Sequence, residues 1–312
     1  MRSAKILITG GAGFIGSALA KVLRKDNEIV IFDNFSRGYP VEQENTKLIQ
    51  GNVTQLHDCD VGTAFTHIIH AASIAGVDTV LKNPETTMNV ALLGTKAVLD
   101  FAMGCQNIKR VLNFSTSEVF GQYAYKVAET DTTTIGAIGE ARWTYAISKL
   151  AAEHWAYVTG KERGLPVVSV RPFNIFGPGQ VGEGAIHHFI RAAIQDKPLL
   201  VNNGGSQIRS WCFIDDMVHG ASMCLRDKKA IGHSFNIGNP RNTLTIYALA
   251  KQIISLAKSK SVIKNIFKPG HTDIEIRIPD INKATTRIGF YPTVDLEEGL
   301  LETIEWYRHE VC

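Results

Sequence analysis

The sequence predicts an α/β fold: a doubly wound, mostly parallel sheet with helices on both faces, joined to a smaller mixed C-terminal lobe. Three observations predict it. Short, continuously apolar runs alternate with helical patterns along the first half of the chain. The first run ends in a burst of glycine that leads straight into an amphipathic segment. After Arg171 the chain breaks into short pieces punctuated by proline and glycine. Strands covered on both faces read as unbroken apolar runs, and interposed helices make the parallel crossovers.

The first strand is expected at Lys5–Ile8. It stops at Gly10-Gly11-Ala12-Gly13-Phe14-Ile15-Gly16, and a helix is expected over Ser17–Lys25. Gly11, Gly13 and Gly16 fit G-x-G-x-x-G: a tight turn, a close approach of backbone to a pyrophosphate, and a close packing of helix on strand. The free N–H groups of the helix start then face the phosphates. The second strand, Ile29–Phe32, ends in Asp33, about 20 residues past the glycines, where an acid would read a ribose hydroxyl. Ser36–Pro40 reads as a loop. Further strands are expected at Lys47–Gln50, His67–His70, Arg110–Phe114, Pro166–Arg171 and Ser234–Ile237, with helices at Asn83–Met103, Thr144–Lys161 and Gly184–Gln195. The breaker-rich stretch Pro172–Gly179 opens the second lobe. Helices Ile246–Lys258 and Leu296–Arg308 are expected within it. The dinucleotide-binding part is placed at residues 1–172 plus about 212–240, and the second lobe at about 173–211 plus 241–312, covering the carboxyl ends of the strands.

Composition narrows the function. The chain has 312 residues, 45% hydrophobic and 20% charged, which suits a globular protein with a full core. A net charge of +3 with no basic run points away from nucleic acid. No apolar stretch approaches the ~20 residues of a membrane helix, and the chain enters a strand at once, without a secretory leader. The five cysteines are odd in number and lack C-x-x-C spacing, so free thiols in a reducing cytoplasm are expected. His187-His188 is the one histidine pair, and adjacent helix positions point apart, so no metal site is expected.

Two stretches carry chemistry. Tyr145-Ala-Ile-Ser-Lys149 lies on a helical pattern, so phenol and ammonium share a face at i and i+4. A neighbouring cation favours phenolate and would lower the tyrosine pKa from ~10, making Tyr145 a general base for an alcohol. Ser115-Thr-Ser-Glu-Val-Phe-Gly121 follows a strand, at the sheet end where the ligand crevice belongs. There Thr116 can bond a substrate hydroxyl and the tyrosine oxygen, and Glu118 can accept a proton.

These motifs, with His70-Ala71-Ala72, Arg171-Pro-Phe-Asn-Ile-Phe-Gly-Pro-Gly179, Arg209-Ser-Trp-Cys-Phe-Ile-Asp-Asp216 and Arg277-Ile-Pro-Asp280, resemble the extended short-chain dehydrogenase/reductase family along essentially the whole chain. That family holds NAD-dependent nucleotide-sugar epimerases, dehydratases and decarboxylases on a Rossmann sheet. The resemblance implies that Gly10, Gly13, Phe14, Ile15 and Gly16 line the NAD pyrophosphate. Asp33 and Asn34 lie at the adenosine ribose, where the carboxylate disfavours NADP. Asn52-Val53 stands where the family has an acid and an aliphatic residue near adenine; the amide of Asn52 can still bond an adenine edge. Ala71 and Ala72 pass close to the cofactor. Thr116, Tyr145 and Lys149 form the catalytic set, and Asn174, Arg209 and Arg277 contact the sugar diphosphate. Related enzymes pair their long helices into a four-helix bundle, so a homodimer is expected.

Family members share an opening step: the tyrosine takes the 4-OH proton while C4 gives hydride to NAD. The ketone then diverges. Dehydratases carry Thr-Asp-Glu, with the Asp helping the 6-hydroxyl leave; Thr116-Ser117-Glu118 lacks it. Typical UDP-galactose 4-epimerases lack the glutamate. Thr-Ser-Glu-Val with Arg142-Trp143-x-Tyr145 resembles UDP-glucuronate decarboxylases and apiose/xylose synthases. There Ser117 and Glu118 would handle the carboxylate and water, and Arg209 would return a proton near C5–C6. The expected activity is decarboxylation of UDP-glucuronate to UDP-xylose or a UDP-4-keto-pentose. Epimerisation of a UDP-hexose or UDP-hexuronate at C4 is the alternative, and 4,6-dehydration is less favoured. A reading from another class is a non-catalytic NAD or nucleotide-sugar binder, against which the intact Thr116, Tyr145 and Lys149 argue.

Overall fold

The computed structural model describes residues 2–38, 44–180, 182–267 and 273–310. Tyr39 and Pro40 of the expected loop lie outside them, as does Cys312. Seven strands form one wholly parallel sheet: β1 (Lys5–Thr9), β2 (Glu28–Asp33), β3 (Thr46–Gln50), β4 (His67–His70), β5 (Arg110–Phe114), β6 (Val167–Pro172) and β7 (Ser234–Ile237). Their order is β7-β6-β5-β4-β1-β2-β3. The chain winds outward from β1 through β2 to β3, then returns to β4 on the other side. The switch point is therefore between β1 and β4, and a crevice opens at their carboxyl ends.

The strands are apolar on both faces because both are covered. Ile6, Ile8, Ile29 and Ile31 face one core, under α1 (Phe14–Leu23) and α4 (Ile214–Arg226). Leu7, Val30, Phe32 and Val111 face the other, under α2 (Pro84–Gly104) and α3 (Thr144–Arg163). Alternation along each strand delivers its side chains to the two layers in turn.

The second lobe is mixed. Its four-stranded sheet runs in the order Thr243–Thr245, Ile208–Ser210, Ile276–Pro279, Tyr123–Val127. The first pair is antiparallel and the other two are parallel. Tyr123–Val127, far upstream in sequence, joins this sheet and not the main one. The register sets Arg209 directly beside Arg277. No described helix is long and apolar enough to cross a membrane.

Candidate active site

The cofactor crevice is built by the glycine turn. Gly10 has φ +71°, donates its N–H to Phe32 O at 2.9 Å, and a Cβ on it would stand 2.4 Å from Ala72 N. The turn glycine is thus Gly10 and not Gly11, whose Cβ would press on Ile31 instead. A Cβ on Gly16 would meet Gly10 O at 2.3 Å, so this glycine lets helix start and turn touch. Gly13 is different. A Cβ there would near only Gly10 O, at 3.3 Å, and this side of the turn is open. Gly13 caps α1 without a side-chain bond, and no acid lies in the first turn. Free N–H groups and an uncompensated helix dipole there suit a diphosphate.

Phe14 and Ile15 begin α1, half-buried. Asp33 ends β2, where its Oδ2 accepts from Ala12 N at 3.0 Å and its Oδ1 from Phe35 N at 2.8 Å. Its carboxylate is therefore fixed beside the glycine turn, with further lone pairs available. Asn34 is exposed and accepts from Ser36 N. The Asn52 carbonyl caps the short turn at Val53, accepting from Thr54 N at 3.1 Å and Thr54 Oγ1 at 3.0 Å, so only its NH₂ is left for an adenine edge. Val53 is buried against Gly94, so its side chain serves the core. Ala71 continues β4, its N–H bonded to Thr9 O, and Ala72 walls the crevice opposite Gly10. These residues fit NAD: a cradle of glycine backbone, a helix start, and a carboxylate at the ribose distance along the chain.

The second half of the site lies beyond β5. Thr116 Oγ1 accepts from Glu118 N at 3.2 Å and caps a single tight turn, Ser117–Phe120. Thr116 and Ser117 are buried. Tyr145 stands at the start of α3 with the hydroxyls of Thr116 and Ser73 close enough to favour its anion. The structure nevertheless corrects the expected lowering of its pKa. Burial, with Glu118 adding to it, pushes the phenol up to about 12. Lys149, the expected counterweight, is itself 2% exposed and faces Glu153 and His70. Burial lowers the ammonium to about 8, opposed by Glu153. His70 is held neutral, down to about 3, by burial and by Lys149, and it bridges Thr9 and Thr95 at 2.8 and 3.1 Å.

Glu118 is gripped by two arginines. Arg142 Nη1 reaches Oε2 at 2.8 Å and Arg277 Nη1 reaches Oε1 at 3.4 Å. Burial alone would raise its pKa, but Arg277 and Arg142 outweigh it and hold the carboxyl below the ordinary range. Arg209 stands next to Arg277, its guanidinium on Ile274 O at 2.6 Å and Ile208 O at 3.0 Å, with Asp273 at 3.5 Å. Burial, then Arg277, lowers its pKa to about 10. Arg277 Nε is buried without a partner. Asn174, at φ +43°, donates to Ser210 O at 2.7 Å and so braces the strand end that follows Arg209. Three guanidinium groups face two carboxylates, Glu118 and Asp273, and leave an excess of positive charge that an anionic ligand would balance.

The structure thus gathers Thr116, Ser117, Glu118, Tyr145 and Lys149 at one sheet end and Arg209 and Arg277 beside them. Sequence reasoning cited Arg142 only for its resemblance and missed Ser73, which lies three residues past His70. Neither has a spacing signal of its own. His187 packs inside the lobe against Tyr307, and among the described residues no cluster of three or more His, Cys, Asp or Glu could hold a metal.

Comparison with known proteins agrees with this geometry. The model of the NAD dependent epimerase/dehydratase family matches residues 6–238. The chain is 34% identical over 321 residues to a UDP-N-acetyl-alpha-D-glucosaminuronate decarboxylase of Bacillus cytotoxicus, covering 97% of this chain and 98% of the relative. It is 35% identical over 318 residues to UDP-glucuronic acid decarboxylase 1 of Danio rerio, covering 98% and 73%. Among solved structures it resembles the UDP-glucuronic acid 4-epimerase of Bacillus cereus in complex with UDP-glucuronic acid and NAD, with a TM-score of 0.86, 26% identity and 97% and 99% coverage. The chain belongs to the NAD-dependent epimerase/dehydratase family, on the extended short-chain dehydrogenase/reductase fold, and NAD is its cofactor.

Proposed function

We propose that this enzyme decarboxylates a UDP-hexuronate, with UDP-glucuronate as substrate and UDP-xylose or a UDP-4-keto-pentose as product. The observation that carries the reading is Glu118 held between Arg142 and Arg277, next to the phenol of Tyr145 and with serine at 117. A dehydratase needs an acid at 117 to expel the 6-hydroxyl, and serine is far too weak an acid for that work. Buried guanidinium groups instead suit a sugar that carries its own carboxylate as well as a diphosphate. All three relatives named above bear a uronic acid in their names.

Tyr145 takes the 4-OH proton, oriented by Thr116. Bound NAD supplies the acceptor for the C4 hydride, can return it after CO2 has left, and brings a positive charge that favours a nearby phenolate. Lys149 sits one turn along the same helix face and shares in that charge balance. With a ketone at C4, the carboxylate is β to it. The C5–C6 bond breaks, its electron pair passes into the enolate, CO2 departs, and a proton returns to C5. Arg209, with its pKa lowered, stands where it can assist that return, while Ser117 and Glu118 order the carboxylate and water.

Epimerisation at C4 is the second reading, supported by the Bacillus cereus neighbour. Incubation with UDP-glucuronate and NAD, followed by mass analysis, separates the two: loss of CO2 supports decarboxylation, an isobaric new product supports epimerisation. UDP-N-acetylglucosaminuronate is the companion substrate. Binding of UDP-sugars and NAD with no turnover would support neither. The four described free cysteines fit a reducing cytoplasm. Exposed Met88, Leu93, Ile147 and Trp155 on α2 and α3 support a homodimer built on those helices.

A further inference from the structure

Glu183 lies in the second lobe, far from Tyr145 in sequence, and has no part in the chemistry above. Its carboxylate reaches across to the start of the short helix Val77–Lys82, which follows β4. Oε2 accepts from Asp78 N at 2.8 Å, and Oε1 accepts from Thr79 N at 3.1 Å and Thr79 Oγ1 at 2.6 Å. Residues 75–79 directly continue the crevice wall of Ala71 and Ala72. Arg37, four residues past Asp33, joins the same knot. Its guanidinium bonds Ala75 O and Thr79 Oγ1 and lies 3.9 Å from Glu183 Oε1. Three segments therefore meet here: the loop after the ribose acid, the loop after β4, and the second lobe.

A Cβ on Gly179 would lie 3.9 Å from the side chain of Phe14, the first residue of α1, so Gly179 sits beside the helix start that follows the glycine turn. The carbonyl of Gln180 is pinned by the hydroxyl of Tyr307 from the C-terminal helix. A Cβ on Gly76, which has φ +102°, would stand 2.7 Å from the Glu183 carboxyl carbon. Only glycine at 76 admits the carboxylate. A half-buried carboxylate and a glycine thus join the two walls of the NAD site.

We propose that Glu183 is a positioning residue that clasps the second lobe onto the walls of the cofactor crevice and thereby sets how long NAD stays bound. The clasp must open for the cofactor to exchange, and three hydrogen bonds with an ion pair hold it shut. This rests on NAD as cofactor and not on which sugar is turned over.

The test is the dissociation rate of NADH from the full-length protein, followed by loss of its fluorescence on chase with excess NAD. Glu183→Gln and Gly76→Ala should each raise that rate at least tenfold, about 1.4 kcal/mol of barrier. Thr79→Ser, which keeps the hydroxyl donor, should stay within threefold of wild type. The thermal midpoint of the NAD-free protein should move by less than about 3 °C in the Gln variant. A rate within twofold of wild type in both variants overturns the proposal. So does a rise that appears only alongside a large fall in the midpoint, which would mark general loosening.

Discussion

Tyr145 is half-buried, and desolvation, with Glu118 adding to it, pushes its phenol up to about 12. A phenol with that value is almost wholly protonated near neutral pH, so a nearby positive charge is needed to make it a base. Loading NAD should lower the phenol by at least about two units, since a nearby positive charge favours the anion. The difference in phenolate absorbance between wild type and Tyr145→Phe, titrated with and without NAD, reads it; a value near 12 in both states would contradict the account. Tyr145→Phe should cut turnover by about 10²–10⁴ while NAD stays bound, measured as cofactor stoichiometry beside kcat. Glu118 gives a stability prediction with a definite sign. Its folded pKa is depressed, so its contribution is present above the unfolded value of 4.5 and is lost as pH falls through the folded one. Glu118→Gln should cost about 3 kcal/mol at pH 7, because it leaves Arg142 and Arg277 without their counter-charge. Denaturant melts should show that gap closing below about pH 4.

At the scale of elements, the glycine turn is the most demanding piece. Gly10→Ala forces a left-handed φ on alanine at about 1–2 kcal/mol and drives its methyl into the Ala72 backbone. NAD affinity by calorimetry and the thermal midpoint should fall together; retention of either would show that β4 moves aside freely. All seven strands of the main sheet were legible because each is an apolar run bounded by breakers, and six helices were legible from their periodicity. α4 was not. Gly220 interrupts its pattern, yet a Cβ there would press on Ile237 and Phe290 at 3.0 and 3.1 Å, so the glycine serves close packing. The lobe strands were hidden for another reason. Ile208–Ser210 and Thr243–Thr245 have three residues each, too few for a period, and their pairing is decided by partners far away in sequence. The same long-range register hid the adjacency of Arg209 and Arg277, which the family resemblance implied as ligand contacts but could not place side by side.

The whole molecule is a parallel sheet that presents one end to a mixed lobe, with cofactor glycines, phenol and guanidinium groups along that junction. The proposed catalytic set needed no tertiary information to suggest it, since Thr116, Tyr145 and Lys149 are local to one strand end and one helix. Burial decides the electrostatics, and burial depends on the second lobe, so the raised phenol was not readable. If it forms the proposed homodimer through α2 and α3, the protein should sediment at twice the monomer mass, and Leu93→Glu on the exposed face should return it to monomer. A monomer at micromolar concentration would contradict that pairing. The central claim is that NAD oxidises the sugar at C4 with Tyr145 as base. Rapid mixing of the NAD-loaded enzyme with UDP-glucuronate, protio and deuterated at C4, tests it most directly. The account predicts a transient NADH absorbance whose rise is slowed severalfold by deuterium and absent in Tyr145→Phe. Product formed at equal rates from both sugars, with no transient, would contradict it.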